Sequence, residues 1–164
     1  MRYNIITYGN DILRKVSIDV DKSIDVKKLS DDMFETMYDA NGVGLAAPQI
    51  GKNIRMFVAD LSHWHNDYGI KKLVAINPLL TFIENDEIII EEEGCLSIPN
   101  LSAEVPRKKH VTIKYYDLEW NLHEEKFEDM AARVIQHETD HLYGKMYIDY
   151  IERNKNIEQY LKHT

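Results

Sequence analysis

The chain has 164 residues and a mass of 19.2 kDa, about the size of one domain and enough to bury a hydrophobic core. Apolar residues make up 44% and charged residues 29%, which argues against disordered and fibrous proteins. No apolar run approaches the roughly 18 residues of a membrane span, and the net charge of −8 argues against bulk attraction to nucleic acid. We therefore expect neither a membrane partner nor sequence-specific nucleic-acid binding.

The first predicted helix covers residues 25–40, where apolar residues recur at helical spacing and an Asn-Gly pair provides a stop. The apolar set is Val26, Leu29, Met33 and Met37. A loop rich in glycine follows at residues 42–51. Strand-like apolar stretches then occur at residues 55–60, 73–76, 79–84, 87–91, 110–116 and 122–127.

A second helix is predicted from about residue 129 to residue 143, with Gly144 as its stop, and a short surface helix at residues 151–162. Without a regular alternation of strands and helices, this arrangement predicts an α+β fold. We expect a single domain over residues 1–164, with short antiparallel strands around a central helix and a helix near each end.

The central helix carries the strongest local signal, His137-Glu138-Thr139-Asp140-His141. Positions i and i+4 project from one side of a helix, so both imidazoles can bind one metal ion, and Glu138 lies beside them to move protons. The alternative is an ordinary helix with two incidental histidines.

A catalytic site of this kind needs a third protein ligand and an open position. Tyr147 occupies the place where a longer zinc motif has its third histidine, and only Glu152 and Glu158 remain as downstream carboxylates. Both lie on a short polar tail, so we expect the ligand upstream, at Cys95. Two neutral imidazoles and a thiolate suit one ion, although a lone cysteine can also be a small buried hydrophobe.

Two neighbouring features support a site at Cys95. Within an acidic run, Glu93 is the carboxylate that we expect to be buried, paired with Arg107. In the glycine-rich loop, Gln49 offers an amide donor of the kind that stabilises a carbonyl oxygen as it becomes an oxyanion. The alternative for Gln49 is a surface side chain in a turn.

Three motifs resemble the peptide deformylase family and occur in the family's order and spacing. They are GVGLAAPQ at residues 42–49, EGCLS at residues 93–97 and QHETDH at residues 136–141. The similarity extends over nearly the whole chain. The resemblance implies a metal-dependent hydrolase that removes the N-formyl group from the formylmethionine of newly made polypeptides and releases formate.

The resemblance also implies roles for individual residues. Cys95, His137 and His141 would be the metal ligands, and Glu138 would be the general base and then the acid that protonates the leaving amine. The family typically uses ferrous iron, and zinc or nickel can occupy the same ligands. Because one cysteine excludes a disulfide within the chain, and no secretory signal is visible, we expect a cytoplasmic, reducing location that would also protect a thiolate ligand.

On the substrate side, the resemblance implies that the Gln49 side chain and the Leu96 backbone N–H hold the formyl oxygen. Gly44 would support the substrate through main-chain contacts. We also expect an apolar pocket for the methionine side chain, with the candidates Val43, Met130 and Val134.

Two other functions compete with this reading. A zincin-like metallopeptidase would take a ligand downstream of His141, and a non-catalytic metal-stabilised binding protein would have four closed ligands and a dispensable Glu138. The substrate emerges at the ribosome, so a transient ribosome contact is a further expectation. The last fourteen residues support it only weakly, with three basic and two acidic side chains.

Overall fold

The computed structural model describes residues 1–64, 71–151 and 155–162. The described residues form three α-helices: α1 (Val26–Asp39), α2 (Asp129–His141) and α3 (Lys155–Lys162). The strands are β1 (Gly44–Ala46), β2 (Met56–Asp60), β3 (Lys72–Thr81), β4 (Ile88–Cys95), β5 (Ile98–Lys108), β6 (His110–Tyr116) and β7 (Leu122–Glu128). The fold is therefore α+β, as the sequence predicts.

The strands form two antiparallel sheets. The larger one has the order β1-β2-β3-β6-β7, and β4 pairs with β5 in a separate hairpin. Side chains alternate along β2, so Phe57 packs on the side of the larger sheet that α2 covers, whereas Met56 and Val58 pack on the side that α1 covers. The larger sheet thus has a helix on each face.

The β4–β5 hairpin lies outside the larger sheet and is held by residues from near the start of the chain and from the segment after α2. Ile98 and Val105 of β5 pack with Leu13 near the start of the chain and with Tyr147 and Ile148 after α2. This third apolar cluster fixes the hairpin beside the end of α2. The end of β4 and the last two turns of α2 consequently lie close together.

The bounds of α1 and α2 agree with the sequence prediction within one or two residues. Asp25 caps α1 by accepting a hydrogen bond from the Lys28 N–H at 3.1 Å. The short tail helix begins at Lys155, and residues 152–154 of its predicted span lie outside the described residues. No helix in the described ranges is long and apolar enough to cross a membrane.

The strand predictions need three corrections. Residues 73–76 and 79–84 are predicted as separate strands but belong largely to one strand, β3, whose register shifts between Ile76 and Leu79. Asn77 lies there in the left-handed region and Pro78 follows it, so a break in the pattern is a bulge and not an end. Strands β1 and β5 were not predicted, and β4 continues to Cys95 beyond its predicted end at residue 91.

Candidate metal centre

Helix α2 places two imidazoles one turn apart, and the end of β4 brings a sulfur to them. One ligand atom each from Cys95, His137 and His141 lies within 4.8 Å of the others. The Cys95 Sγ is 3.4 Å from His141 Nε2. Among the described residues this group contains three protein ligands, which leaves a tetrahedral ion an open position.

The position of the thiol follows from an irregularity in the hairpin. The β4–β5 register shifts between Gly94 and Cys95, so the thiol leaves the regular strand pattern as the chain turns through Leu96. Gln49, which lies in a 3₁₀ turn after β1, reaches the same place: its Nε2 is 3.6 Å from Cys95 Sγ and donates to Ser97 Oγ at 3.1 Å.

The orientation of the Gln49 amide is fixed at both ends. Its Oε1 accepts a hydrogen bond from the backbone N–H of Ala46 at 2.9 Å, and its Nε2 donates to Ser97. Gln49 is 1% exposed. The donor end of the amide, Nε2, therefore faces Cys95. The alternative, in which Gln49 is a surface side chain in a turn, is wrong.

Glu93 orients the first histidine. Its Oε1 accepts a hydrogen bond from His137 Nδ1 at 2.8 Å, which leaves His137 Nε2 available to a metal ion. Arg107 donates to both carboxylate oxygens at 2.8 and 3.0 Å, so the predicted pair forms. Burial opposes ionisation, but the hydrogen bonds from Arg107 and His137 lower the pKa of Glu93 to about 2.

Arg133 is a site residue that the sequence reasoning missed. Its guanidinium donates to Glu93 at 2.6 Å, to the Val105 carbonyl oxygen at 2.8 Å and to the Ile89 carbonyl oxygen at 2.6 Å. A signal was available, because Arg133 precedes His137 by four residues on α2 and so shares its face. A buried arginine there joins α2 to both strands of the hairpin.

Burial sets the charge states at the cluster. Burial lowers the pKa of His141 well below its usual range, so the imidazole is neutral, as a ligand must be. Burial would also lower the pKa of His137, but Glu138, Cys95 and Glu93 raise it well above its usual range. An ion that binds His137 must therefore displace its proton. The donor set, one soft thiolate and two imidazoles, fits iron, zinc or nickel.

Glu138 is the buried carboxylate next to the ligands. It is 4% exposed, and its Oε2 lies 4.0 Å from His137 Nε2. Its Oε1 has no hydrogen-bond partner among the described residues. Burial raises the pKa of Glu138 to about 7, a value at which a carboxyl group can both take and give a proton near neutral pH.

A cavity of about 680 Å³ opens onto the cluster. Trp64, which the sequence reasoning did not identify, also lines it. Val43 is 46% exposed, whereas Val134 is buried. Nine of the ten predicted site residues line this cavity, and His141 does not: Val43, Gly44, Gln49, Cys95, Leu96, Met130, Val134, His137 and Glu138.

The comparisons with known proteins all point to one family and cover most of the chain. The family model for polypeptide deformylase matches residues 2–157. A peptide deformylase of Cytophaga hutchinsonii is 47% identical over 158 residues, covering 94% of this chain and 85% of that protein. The crystal structure of peptide deformylase from Thermotoga maritima superimposes with a TM-score of 0.85 at 40% identity, covering 93% of this chain and 99% of that one.

A third relative shows a ligand. A class I type b peptide deformylase from Acinetobacter baumannii, in a crystal structure with Met-Ala-Ser bound, is 29% identical to this chain. It superimposes with a TM-score of 0.82 and covers 92% of this chain and 99% of its own.

Proposed function

The chain belongs to the peptide deformylase family, and on that premise we propose which of its residues carry out the metal-dependent release of formate from N-formylmethionyl polypeptides. Cys95, His137 and His141 hold the ion, and Glu138 moves the protons. The observation that carries the proposal is the meeting of these three ligand types within 4.8 Å, beside a buried carboxylate and at the end of a cavity.

We propose ferrous iron as the native ion, with zinc and nickel able to use the same ligands. When bound, the ion supplies a water acidic enough to attack near neutral pH and polarises the formyl carbonyl. A thiolate ligand is sensitive to oxidation. This sensitivity, and a substrate made at the ribosome, favour a reducing cytoplasmic location.

Glu138 has the chemistry of a general base that becomes a general acid. Its carboxylate accepts a proton from the attacking water, whose oxygen bonds to the formyl carbon. As the bond between that carbon and the methionine nitrogen breaks, Glu138 returns the proton to the nitrogen, giving formate and a free amine. A pKa near 7 suits both steps.

The hairpin and the glycine-rich loop supply the contacts to the substrate. The Gln49 Nε2 and the Leu96 backbone N–H donate to the formyl oxygen as it becomes negative, and Gly44 contacts the peptide through its main chain. Val43, Met130 and Val134 form the pocket for the methionine side chain. The Met-Ala-Ser peptide bound by the Acinetobacter baumannii relative corresponds to a product of this reaction and supports the assignment.

Two wider expectations belong to the same proposal. We treat residues 1–164 as one catalytic domain, because one family model matches residues 2–157. A transient contact with the ribosome would bring the protein to its substrate, and co-sedimentation with ribosomes that is lost on removing residues 151–164 would support it.

Replacement of Cys95 tests the ligand assignment. We expect metal-free wild type, loaded anaerobically with Fe²⁺, Zn²⁺ or Ni²⁺, to bind one ion per chain. We expect Cys95→Ala to lose at least about ten-fold in affinity for each ion, together with formate release from formyl-Met-Ala-Ser. His123→Ala is the matched control, since His123 pairs with Asp117 away from the cluster. Unchanged metal binding by Cys95→Ala would favour a zincin-like ligand set and contradict the proposal.

A further inference from the structure

Gly44, the first residue of β1, is buried, and its backbone conformation does not require glycine. It pairs with Ala59 of β2, and it is absent from the residues with positive φ. In such an extended strand, glycine costs stability relative to a residue with a side chain. A reason for glycine at this position must therefore be sought in the space around it.

That space is filled by Glu138. A Cβ added to Gly44 would lie 2.5 Å from Glu138 Oε2, 2.8 Å from its Cδ and 2.9 Å from its Cγ. All three distances are shorter than van der Waals contact. The carboxyl group and the last methylene of Glu138 thus occupy the volume in which any side chain at position 44 would begin.

Packing against the Gly44 main chain restricts where the Glu138 carboxyl group can lie. Its Oε1 has no hydrogen-bond partner among the described residues, and the nearest ring nitrogen, His137 Nε2, is 4.0 Å from Oε2. A carboxyl oxygen that no protein donor holds leaves the group free to rotate into any space beside it. Its place next to the ligand cluster therefore depends on the walls around it, one of which is the Gly44 main chain.

We infer that Gly44 is a positioning residue for Glu138, because its bare Cα leaves the space from which the carboxylate reaches the reacting atoms. The inference rests on the proposed role of Glu138 as the base. It adds a second role to the main-chain contact assigned to Gly44. The end of the Glu138 side chain is flexible, so a methyl group at position 44 displaces the carboxylate and leaves the fold intact.

Gly44→Ala tests this inference. In the metal-loaded variant we expect one ion per chain and a crystal structure in which the carboxyl group of Glu138 has moved by more than about 1 Å. We expect kcat for formyl-Met-Ala-Ser to fall by about 100-fold or more while KM changes by less than about three-fold, since acid–base catalysis contributes about 10²–10⁴-fold.

The control is Gly44→Ala in a protein that already lacks the Glu138 carboxylate. In a Glu138→Gln background, Gly44→Ala should lower kcat by less than about two-fold, because both changes remove one function. If Gly44→Ala unfolds instead, the Gly44→Ala/Glu138→Ala protein should recover the melting temperature, since the methyl group then enters vacated space. Failure of the double variant to recover it would overturn the inference.

Two further results would contradict the inference: a Glu138 carboxyl group that stays within about 0.5 Å of its position in Gly44→Ala, or equal kcat losses from Gly44→Ala in the wild-type and Glu138→Gln backgrounds. The failure of the proposed function is distinguishable. If Glu138→Gln alone turns over at the wild-type rate, Glu138 is not the base, and the crystal structure still decides whether Gly44 positions its carboxyl group.

Discussion

One carboxylate, that of Glu93, connects the metal cluster to the rest of the fold. It receives hydrogen bonds from His137, Arg107 and Arg133, so a single buried anion meets two cations and the imidazole of one proposed metal ligand. Removing one partner of such a buried network leaves an uncompensated charge, which costs several kcal/mol. The orientation of the His137 ring consequently depends on residues that are not among the proposed metal ligands.

A second histidine–carboxylate pair, which is not part of the cluster, is expected to make stability depend on pH. His110 Nδ1 lies 2.9 Å from Asp86 Oδ1, and its Nε2 lies 3.4 Å from Glu128. The hydrogen bond to Asp86, with the charges of Asp86 and Glu128, raises the pKa of His110 above 6.5, against burial and Lys109. The hydrogen bonds from His110 lower the pKa of Asp86 below 3.8.

The signs of the two shifts define where this pair stabilises the fold. The raised pKa of His110 gives stability that is complete below about pH 6.5 and is lost as pH rises through the folded-state value. We therefore expect the coupling free energy between His110→Gln and Asp86→Asn, measured by urea unfolding, to be larger at about pH 5.5 than at about pH 9. Equal coupling at both values would contradict this assignment.

At the scale of secondary structure, the cluster depends on the contact between α2 and the β4–β5 hairpin. His137 and His141 come from the helix and Cys95 from the hairpin. The distances between the sulfur and the ring nitrogens therefore depend on how the two elements pack together. Arg133 bridges them with hydrogen bonds to both strands. The relative positions of the three proposed ligands therefore depend on the contacts that hold α2 against the hairpin.

Arg133→Met tests the bridge. Loss of three charge-assisted hydrogen bonds should lower the free energy of unfolding by about 2–4 kcal/mol and speed zinc release to a chelator by at least about ten-fold. Lys126→Met, an exposed basic residue on β7, is the matched control and should change neither. Zinc release from Arg133→Met at the wild-type rate would show that the other contacts between α2 and the hairpin are enough to hold it in place, and would contradict the role given to Arg133.

The sequence predicts some elements well and others poorly, for physical reasons. Helices α1 and α2 have clear 3.6-residue periods and identifiable stops at Asn41 and Gly144, both in the left-handed region. Strand β5 contains two prolines and many exposed polar residues, so it lacks a strand-like pattern. Its strand conformation comes from pairing with β4, and no local pattern reports such a contact.

At the scale of the whole molecule, some site residues are predictable from a local pattern and others only from the folded structure. The His-Glu-x-x-His spacing is local and directly predicts two of the proposed ligands and Glu138, whereas the prediction of Cys95 follows from the lack of a suitable downstream ligand. The roles of Arg133 and Gly44 depend on contacts between residues that are 28 or more positions apart, as in Arg133 with Val105. Such roles are readable only after the chain is folded.

The fold therefore brings together three segments that are far apart in the sequence. The glycine-rich loop, the hairpin turn and α2 each contribute one wall of the cavity, and the cluster lies where the three meet. The central claim is that this meeting point holds a metal ion with three protein ligands and that Glu138 alone moves the protons of the reaction.

The most direct test measures metal content and formate release on the same samples of wild type, Glu138→Gln and Glu124→Gln. Glu124 is exposed on β7 and serves as the control for the change of charge. We predict one ion per chain in all three proteins and formate release from formyl-Met-Ala-Ser that is lower by at least about 100-fold in Glu138→Gln alone. Wild-type turnover by a metal-loaded Glu138→Gln protein, or no formate release by metal-loaded wild type, would contradict the account.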